Sequence, residues 1–358
     1  MLNLVRNLNR EEYEPYVLLG ETGPLMQELE KEGVPVFILP EMASLPYNKP
    51  IYKIGCLQSY ARQPRSLKAF DGFLASHPEF DIVYLNNMFL CPYLKLAKKH
   101  GRKALIHIRE HWPRHAHPLQ FSIIRNMIGR WADRVIAINE YSASIIPGLG
   151  DRVHIVYDGI DMSGRYENMP YDSIFGYDCS GLKVFLYIGG YTPIKGISEI
   201  VEVFHGIQRD DYRLLIVGDR PEKDMRPGMR RTCDIIDSDS RIKCIPSTYR
   251  IEHLVRQAYC TVSFFTWPHA NLFLAESIIS RTPAIAARTE ESEEYSDNGL
   301  LAFLCPFKDK KALREAFLKP EAEYEALRKR VEESSAAIAS KFDKNRNVKM
   351  WHDAVAGL

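Results

Sequence analysis

Between residues 260 and 304 two short apolar runs flank an amphipathic segment, and this arrangement narrows the fold more than any other stretch. Residues 262–265 (VSFF) have the length and composition of a buried strand. A loop with Pro268, His269 and Asn271 follows, and the spacing predicts a helix over 272–280, stopped by Arg281-Thr282-Pro283. Residues 284–287 (AIAA) are a second strand-length apolar run. Strand–loop–helix–strand is the repeating unit of a parallel sheet. One carboxylate, Glu276, lies in the first turns of the helix among apolar neighbours. By spacing alone it is either a solvated helix residue or a group kept for a ligand.

The rest of the chain repeats the alternation. A helical stripe (Leu2, Leu4, Val5, Leu8) precedes a strand at 16–19, a helix at 23–33 and a strand at 34–39. Residues 41–55 read as a loop, 66–76 as a helix, 80–85 as a strand, 94–100 as a helix and 104–108 as a strand. A helix at 121–131, a strand at 133–138, a helix opened by Asn139 and a strand at 153–157 complete a first domain, 1–161. Residues 162–182 lose periodicity and read as a linker. A second domain over 183–340 opens with a strand at 184–189, and 341–358 is a terminal helix. Residues 290–298 are acidic enough to be expected on the solvated side. The fold class is therefore α/β with two open parallel sheets.

Composition excludes several classes. A net charge of +1 gives no global attraction for nucleic acid. No apolar run approaches the ~20 residues of a membrane span. Seven scattered cysteines without Cys-x-x-Cys spacing argue for reduced thiols, a cytoplasmic setting, and neither a disulfide framework nor a zinc site. A local basic cluster (Lys95, Lys98, Lys99, His100, Arg102, Lys103) is either a solvated helix end or a patch for anionic lipid.

Two further places carry chemistry. Gly189 and Gly190 end a strand, and Lys195-Gly196 lead into the next helix. Glycines let a backbone approach a ligand, a helix start attracts phosphate, and a lysine there supplies a point charge. The spacing is not that of a P-loop, so an exposed loop lysine is the alternative. His107, Arg109 and Glu110 stand at the end of a parallel strand, where open α/β sheets bind ligands. A metal held by His107, His111, His115 and His117 lacks a carboxylate or cysteine at firm ligand spacing, so no metal is expected.

Taken in order, these motifs resemble the retaining glycosyltransferases of family 4 (glycosyl transferases group 1), over nearly the whole chain. Glu276 and the strand Thr282-Pro283-Ala284-Ile285-Ala286 match that family's Glu-x7-Glu segment and the Thr-Pro-Val-Val-Ala strand after it; Lys195-Gly196 match its diphosphate loop; Asp158-Gly159-Ile160-Asp161 match the turn closing its first domain. The resemblance implies the GT-B fold, two Rossmann-like domains facing a cleft, with the terminal helix crossing back to the first domain. It implies a nucleotide-diphosphate sugar as donor and no metal cofactor. The donor would be bound by Gly189, Gly190, Lys195, Gly196, His269, Asn271, Leu272, Phe273 and Glu276, the last on the ribose. His107, Arg109 and Glu110 would face the sugar and a glycan or lipid-linked acceptor.

Three departures stand against the family pattern. Its first carboxylate is Pro268 here, its loop arginine is Gly190, and its first strand with a Gly-Gly-x-Glu loop has no counterpart at the start of the sequence. Arg109 or Arg288 could replace the arginine, and His269 the carboxylate. The expected activity is transfer of a sugar with retention, as in polysaccharide biosynthesis. The competing readings are a non-catalytic member that binds a nucleotide or partner, and a nucleotide-sugar epimerase. Location at the inner membrane face, through the basic cluster, stays open.

Overall fold

A computed structural model describes residues 2–47, 54–112, 117–161, 168–221, 227–248, 250–356 and 358. His115 and part of the expected linker lie outside them. The chain divides into two compact units, Met1–Gly159 with Asp343–Leu358, and Ile160–Phe342.

In unit 1, α1 (Leu2–Arg6), β1 (Val17–Leu19), α2 (Pro24–Lys31) and β2 (Val36–Ile38) come first. Then α3 (Ile54–Ser76), β3 (Ile82–Leu85), α4 (Leu94–Lys99), β4 (Lys103–Ile108), α5 (Pro118–Trp131), β5 (Arg134–Ala137), α6 (Glu140–Ser144) and β6 (Val153–Ile155) follow. The strands form two parallel sheets, β1-β2 and β3-β4-β5-β6, and among the described residues no ladder joins them. Helix α3 begins a dozen residues before the expected start at 66. Its Pro64 sits inside the helix, where the sequence reads as a boundary.

Alternation along β4 explains its unbroken apolar run. Ala104, Ile106 and Ile108 face the layer of α3 and α5, with Phe70, Phe121 and Ile124. Leu105 faces the opposite layer, with Trp351 and Val355 of the terminal helix α15 (Lys344–Val355). A parallel strand covered on both faces needs apolar residues at every position.

Unit 2 holds α7 (Tyr171–Phe175), β7 (Lys183–Ile188), α8 (Ile197–His205), β8 (Tyr212–Val217), α9 (Pro227–Ser238), β9 (Ile242–Ile245) and α10 (Ile251–Gln257). After these come β10 (Cys260–Ser263), α11 (Leu272–Ile279), β11 (Ala284–Ala287), α12 (Glu290–Tyr295), β12 (Phe303–Cys305), α13 (Lys310–Phe317) and α14 (Glu321–Lys341). Its six parallel strands run in the order β12-β11-β10-β7-β8-β9. The first strand of the unit is central, and the direction of winding reverses between β7 and β10. That is the doubly wound, Rossmann-like order. Phe185 and Tyr187 of β7 pack into one layer with Phe204 and Phe317; Val184 and Leu186 pack into the other with Tyr171 and Leu254. Tyr171 lies in the stretch expected to be linker, yet it is buried in this core and its hydroxyl donates to Leu254 O (2.5 Å).

The acidic stretch at 290–298 is not wholly solvated. Thr289 caps α12 through the Ser292 N–H (3.1 Å), and Ser292, Tyr295 and Ser296 are buried, with Tyr295 edge-on to Phe342. The acidic side chains hide a buried stripe at helical spacing.

The chain leaves and re-enters unit 1 beside itself. A Cβ on Gly159 would lie 2.7 Å from Cβ of Lys344, so only glycine fits there. One residue further, in unit 2, the Ile160 N–H donates to Phe342 O (2.9 Å).

Candidate active site

In unit 2 the expected donor residues gather at the C-terminal ends of β7 and β10, the two strands that flank the reversal of winding. Ligands bind at that switch point in sheets of this order. The glycine loop is held from three sides. The Tyr187 hydroxyl donates to Gly190 O (2.8 Å). A Cβ on Gly218 would come within 2.6 Å of the Gly190 backbone, so the loops after β7 and β8 touch main chain to main chain. The 193–195 turn is tied to the segment after β10: the Thr266 N–H donates to Ile194 O (3.0 Å), and its hydroxyl donates to Pro193 O (2.8 Å). These bonds set Lys195, whose stem passes over Gly189 and whose Nζ lies 6.0 Å from the Phe265 ring centre.

Gly196 joins this turn to α8. Its φ is +73°, a left-handed conformation that favours glycine, and a Cβ would fall 1.7 Å from Phe264 O. Two backbones meet here with no room for a side chain.

Helix α11 supplies the other half. Asn271 is fully buried; its Oδ1 accepts the Leu274 N–H (3.2 Å) and its Nδ2 donates to Ser263 Oγ (2.8 Å). Its side chain is thus a cap and a brace to β10; it caps the Leu274 amide and not those of Leu272 and Phe273, the first two of the helix. Loss of a cap costs about 1 kcal/mol, and a buried partner left unsatisfied adds about 1–3 kcal/mol. Asn271→Ala is therefore expected to destabilise the protein by about 2–4 kcal/mol, read from the denaturant midpoint.

Glu276 is partly buried. Burial pushes its carboxyl up to about 7, against the opposing pull of the Lys195 ammonium. The two expected donor-site charges therefore feel each other, and Glu276 is not a plain solvated helix residue. His269 is exposed on the loop, edge-on to Phe265 at 5.7 Å. Neither arginine that could stand in for Gly190 is uncommitted: Arg288 Nη1 donates to Glu293 (2.6 Å), and Arg109 Nη2 to Asp158 (2.6 Å).

In unit 1, Arg109 and Glu110 lie just past the end of β4. Glu110 accepts the N–H groups of Met88 (3.2 Å) and Arg109 (3.1 Å), and burial raises its pKa. His107 sits differently from Arg109 and Glu110. It is 6 % exposed, its Nδ1 is hydrogen-bonded to the Tyr84 hydroxyl, and burial and the Arg109 charge hold its pKa well below the usual range. Tyr84 in turn packs edge-on against Trp351 of α15. The returning helix covers this side of β4, so the imidazole stays neutral inside the layer.

Sequence reasoning missed Thr266, Phe265 and Tyr187, which position the lysine and the glycine loop. Thr266 and Phe265 meet partners distant in sequence, which no local spacing signals, while Tyr187 reaches only to Gly190 in the loop that follows its own strand.

Comparison with known proteins agrees with this architecture. Residues 1–163 match the family model described as Glycosyltransferase Family 4, and residues 179–337 match Glycosyl transferases group 1. No curated protein matches. Among solved structures, HepE of Anabaena in complex with UDP is similar with a TM-score of 0.79 at 16% identity, covering 100% of this chain and 96% of that one. A glycosyltransferase from Rickettsia africae is similar with a TM-score of 0.71 at 16% identity, covering 100% and 94%. Sucrose-phosphate synthase from Thermosynechococcus elongatus gives 0.70 at 14% identity, covering 97% and 100%. With two Rossmann-like units, a family match on each of them and these structural likenesses, the chain belongs to the family 4-type glycosyltransferases of GT-B fold.

Proposed function

We propose that unit 2 binds a nucleotide-diphosphate sugar and that the protein transfers the sugar, with retention, to a glycan or lipid-linked acceptor. The observation that carries this reading is the convergence of Lys195, Glu276 and the first amides of α11 at the switch point between β7 and β10. Lys195 and those amides suit the diphosphate, whose charge grows as the glycosidic bond breaks. Glu276 suits the ribose hydroxyls, as acceptor of their hydrogen bonds. Arg109 and Glu110 are assigned to the acceptor side and His107 to positioning β4. The reading requires no metal. HepE, seen with UDP and with UDP-glucose, makes UDP-glucose the first donor to test.

The test is calorimetric titration with UDP-glucose, GDP-mannose and ADP-glucose. One of them is expected to bind, with Lys195→Ala and Glu276→Ala each costing about ten- to a hundredfold, the worth of a charge-assisted hydrogen bond. Binding of none, or binding untouched by both variants, defeats the proposal.

The same site predicts a pH dependence. A carboxyl at about 7 is largely protonated below that pH, and a ribose hydroxyl is held best by the ionised form. Donor binding must then expel a proton, so affinity falls about tenfold per unit below pH 7 and levels off above it. A nucleotide sugar is the right probe, because its diphosphate is esterified at both ends and does not itself titrate there. Glu276→Gln should bind weakly at every pH, with a flat profile.

The non-catalytic reading keeps one observation in its favour: both arginines that could replace Gly190 are ion-paired. Tight donor binding without transfer or hydrolysis would select it.

A further inference from the structure

Between the turn after α1 and the outer face of α15, unit 1 has a groove of about 510 Å³, a size at which small-molecule sites are found. One wall is α15. Asn345, Lys349 and Asp353 stand at intervals of four along it, so they share a face, and all three are exposed. Val348 and Ala356 add the apolar part of the lining. The other wall is the turn that carries Asn7, Asn9 and Glu12. This turn is braced from within: Asn9 Oδ1 accepts the Glu11 N–H (3.1 Å), and Asn9 Nδ2 donates to Glu12 Oε1 (3.0 Å). It is also tied to α15. The Asn9 N–H donates to His352 Nε2 (3.4 Å), and the Tyr13 ring lies 5.1 Å from the His352 ring and 5.7 Å from that of Trp351. Walls held together in this way are preorganised, and a ligand loses little affinity to ordering them.

The rim of the groove is uncommitted. Lys349 and Asp353 are opposite in charge and one turn apart, a spacing at which helix ion pairs form, yet they do not pair. Among the described residues neither they nor Asn345 has a hydrogen bond or ion pair. An ammonium, a carboxylate and a carboxamide thus offer donors and acceptors along about 12 Å of helix, at about 1.5 Å per residue from 345 to 353. The chemistry is selective. Two carboxylates, Glu12 and Asp353, against one lysine disfavour phosphate and other anions. The one ring among the lining residues, His352, is already engaged by Asn9 and Tyr13, which leaves a nucleotide base little to stack on. The walls are a helix and a turn, so a peptide finds neither a sheet edge nor a deep apolar slot. Sugar hydroxyls, each donor and acceptor at once, match such a rim.

We infer that this groove binds a neutral oligosaccharide, with Asn345, Lys349 and Asp353 on its hydroxyl groups and Val348 beneath a sugar ring. None of the lining residues is among those assigned above to the donor or to the acceptor side, so this is a second glycan site, gripping a chain by residues other than the one that reacts. The choice of a glycan among neutral polar ligands rests on the acceptor class proposed above.

The test is binding of the full chain to an array of neutral gluco-, manno- and galacto-oligosaccharides, disaccharides to hexasaccharides, with oligogalacturonates as the acidic comparison. The tightest binder is then titrated in solution. At least one neutral oligosaccharide is expected to bind, with an affinity that added salt leaves unchanged, and no oligogalacturonate. Val348→Trp, which fills the groove, should abolish this binding. Asn345→Ala and Asp353→Ala should each weaken it about five- to tenfold, the worth of one hydrogen bond. Thermal unfolding checks that each variant folds, and the two exposed alanine variants keep a decision available if the tryptophan variant does not. Absence of any neutral binder, binding of acidic oligosaccharides alone, or binding untouched by all three variants would overturn the inference. So would binding that survives Val348→Trp and is lost in Arg109→Ala, which belongs to the acceptor side, or capture by a peptide that oligosaccharides fail to displace. UDP-glucose titration of the groove variants should stay at the wild-type value. A wild type that binds an oligosaccharide in the groove but no nucleotide sugar would support this inference while defeating the donor reading, so the two failures are separable.

Discussion

Gly196→Ala is expected to destabilise unit 2 by more than about 4 kcal/mol and to abolish nucleotide-sugar binding, the size reserved for clashes that the fold cannot relax. The new methyl would fall 1.7 Å from Phe264 O, well inside any contact distance, and both sides of the clash are backbone. No rotamer can relieve it. The turn at 193–195 would have to part from the segment after β10, which breaks the Thr266 bonds to Ile194 and Pro193 and moves Lys195. Gly190→Ala is the matched control. Its φ is +69°, nearly the same, but a Cβ there meets open space. It should cost only the about 1–2 kcal/mol of a left-handed alanine. Denaturant unfolding and donor titration on both variants decide the point: equal effects would mean that conformation, not the backbone crossing, holds the loop.

Trp351→Ala is the second large effect, about 3–5 kcal/mol for a buried aromatic truncated in a core. The indole is 6 % exposed and lies edge-on to Tyr13 (5.7 Å) and Tyr84 (5.8 Å), beneath α15. Its loss should lower the calorimetric transition of unit 1, the unit that holds α15. With two units, unfolding need not be a single step. UDP-glucose should still raise the transition of unit 2, to which it binds under the proposal. Trp351→Phe, which keeps an aromatic face, should recover most of the loss.

Much of the fold was legible because doubly covered strands cannot disguise themselves. The apolar runs of β7, β10 and β11 read as buried strands, and unit 2 pairs each with a strand on both sides. Helix α3 was half hidden, since Pro64 imitates a start signal although it lies inside a continuous helix. Helix α12 was hidden by composition: its glutamates mask Ser292 and Tyr295. In the site, Lys195, Gly196 and Glu276 were legible as residue types at a loop and a helix start. The raised pKa of Glu276 was not, because it comes from burial under tertiary packing. His107 shows the same limit. Its place on the strand was readable, but the cover over it is a helix from the far end of the chain.

The hydrogen bond between Ile160 and Phe342 has a consequence for the gene as well as the protein. The segment that holds the expected donor residues begins and ends at neighbouring points, so it can be lifted out and another grafted in without rerouting the host chain. A chain built this way can exchange its second unit as a cassette, while the terminal helix that closes unit 1 stays with its own sheet.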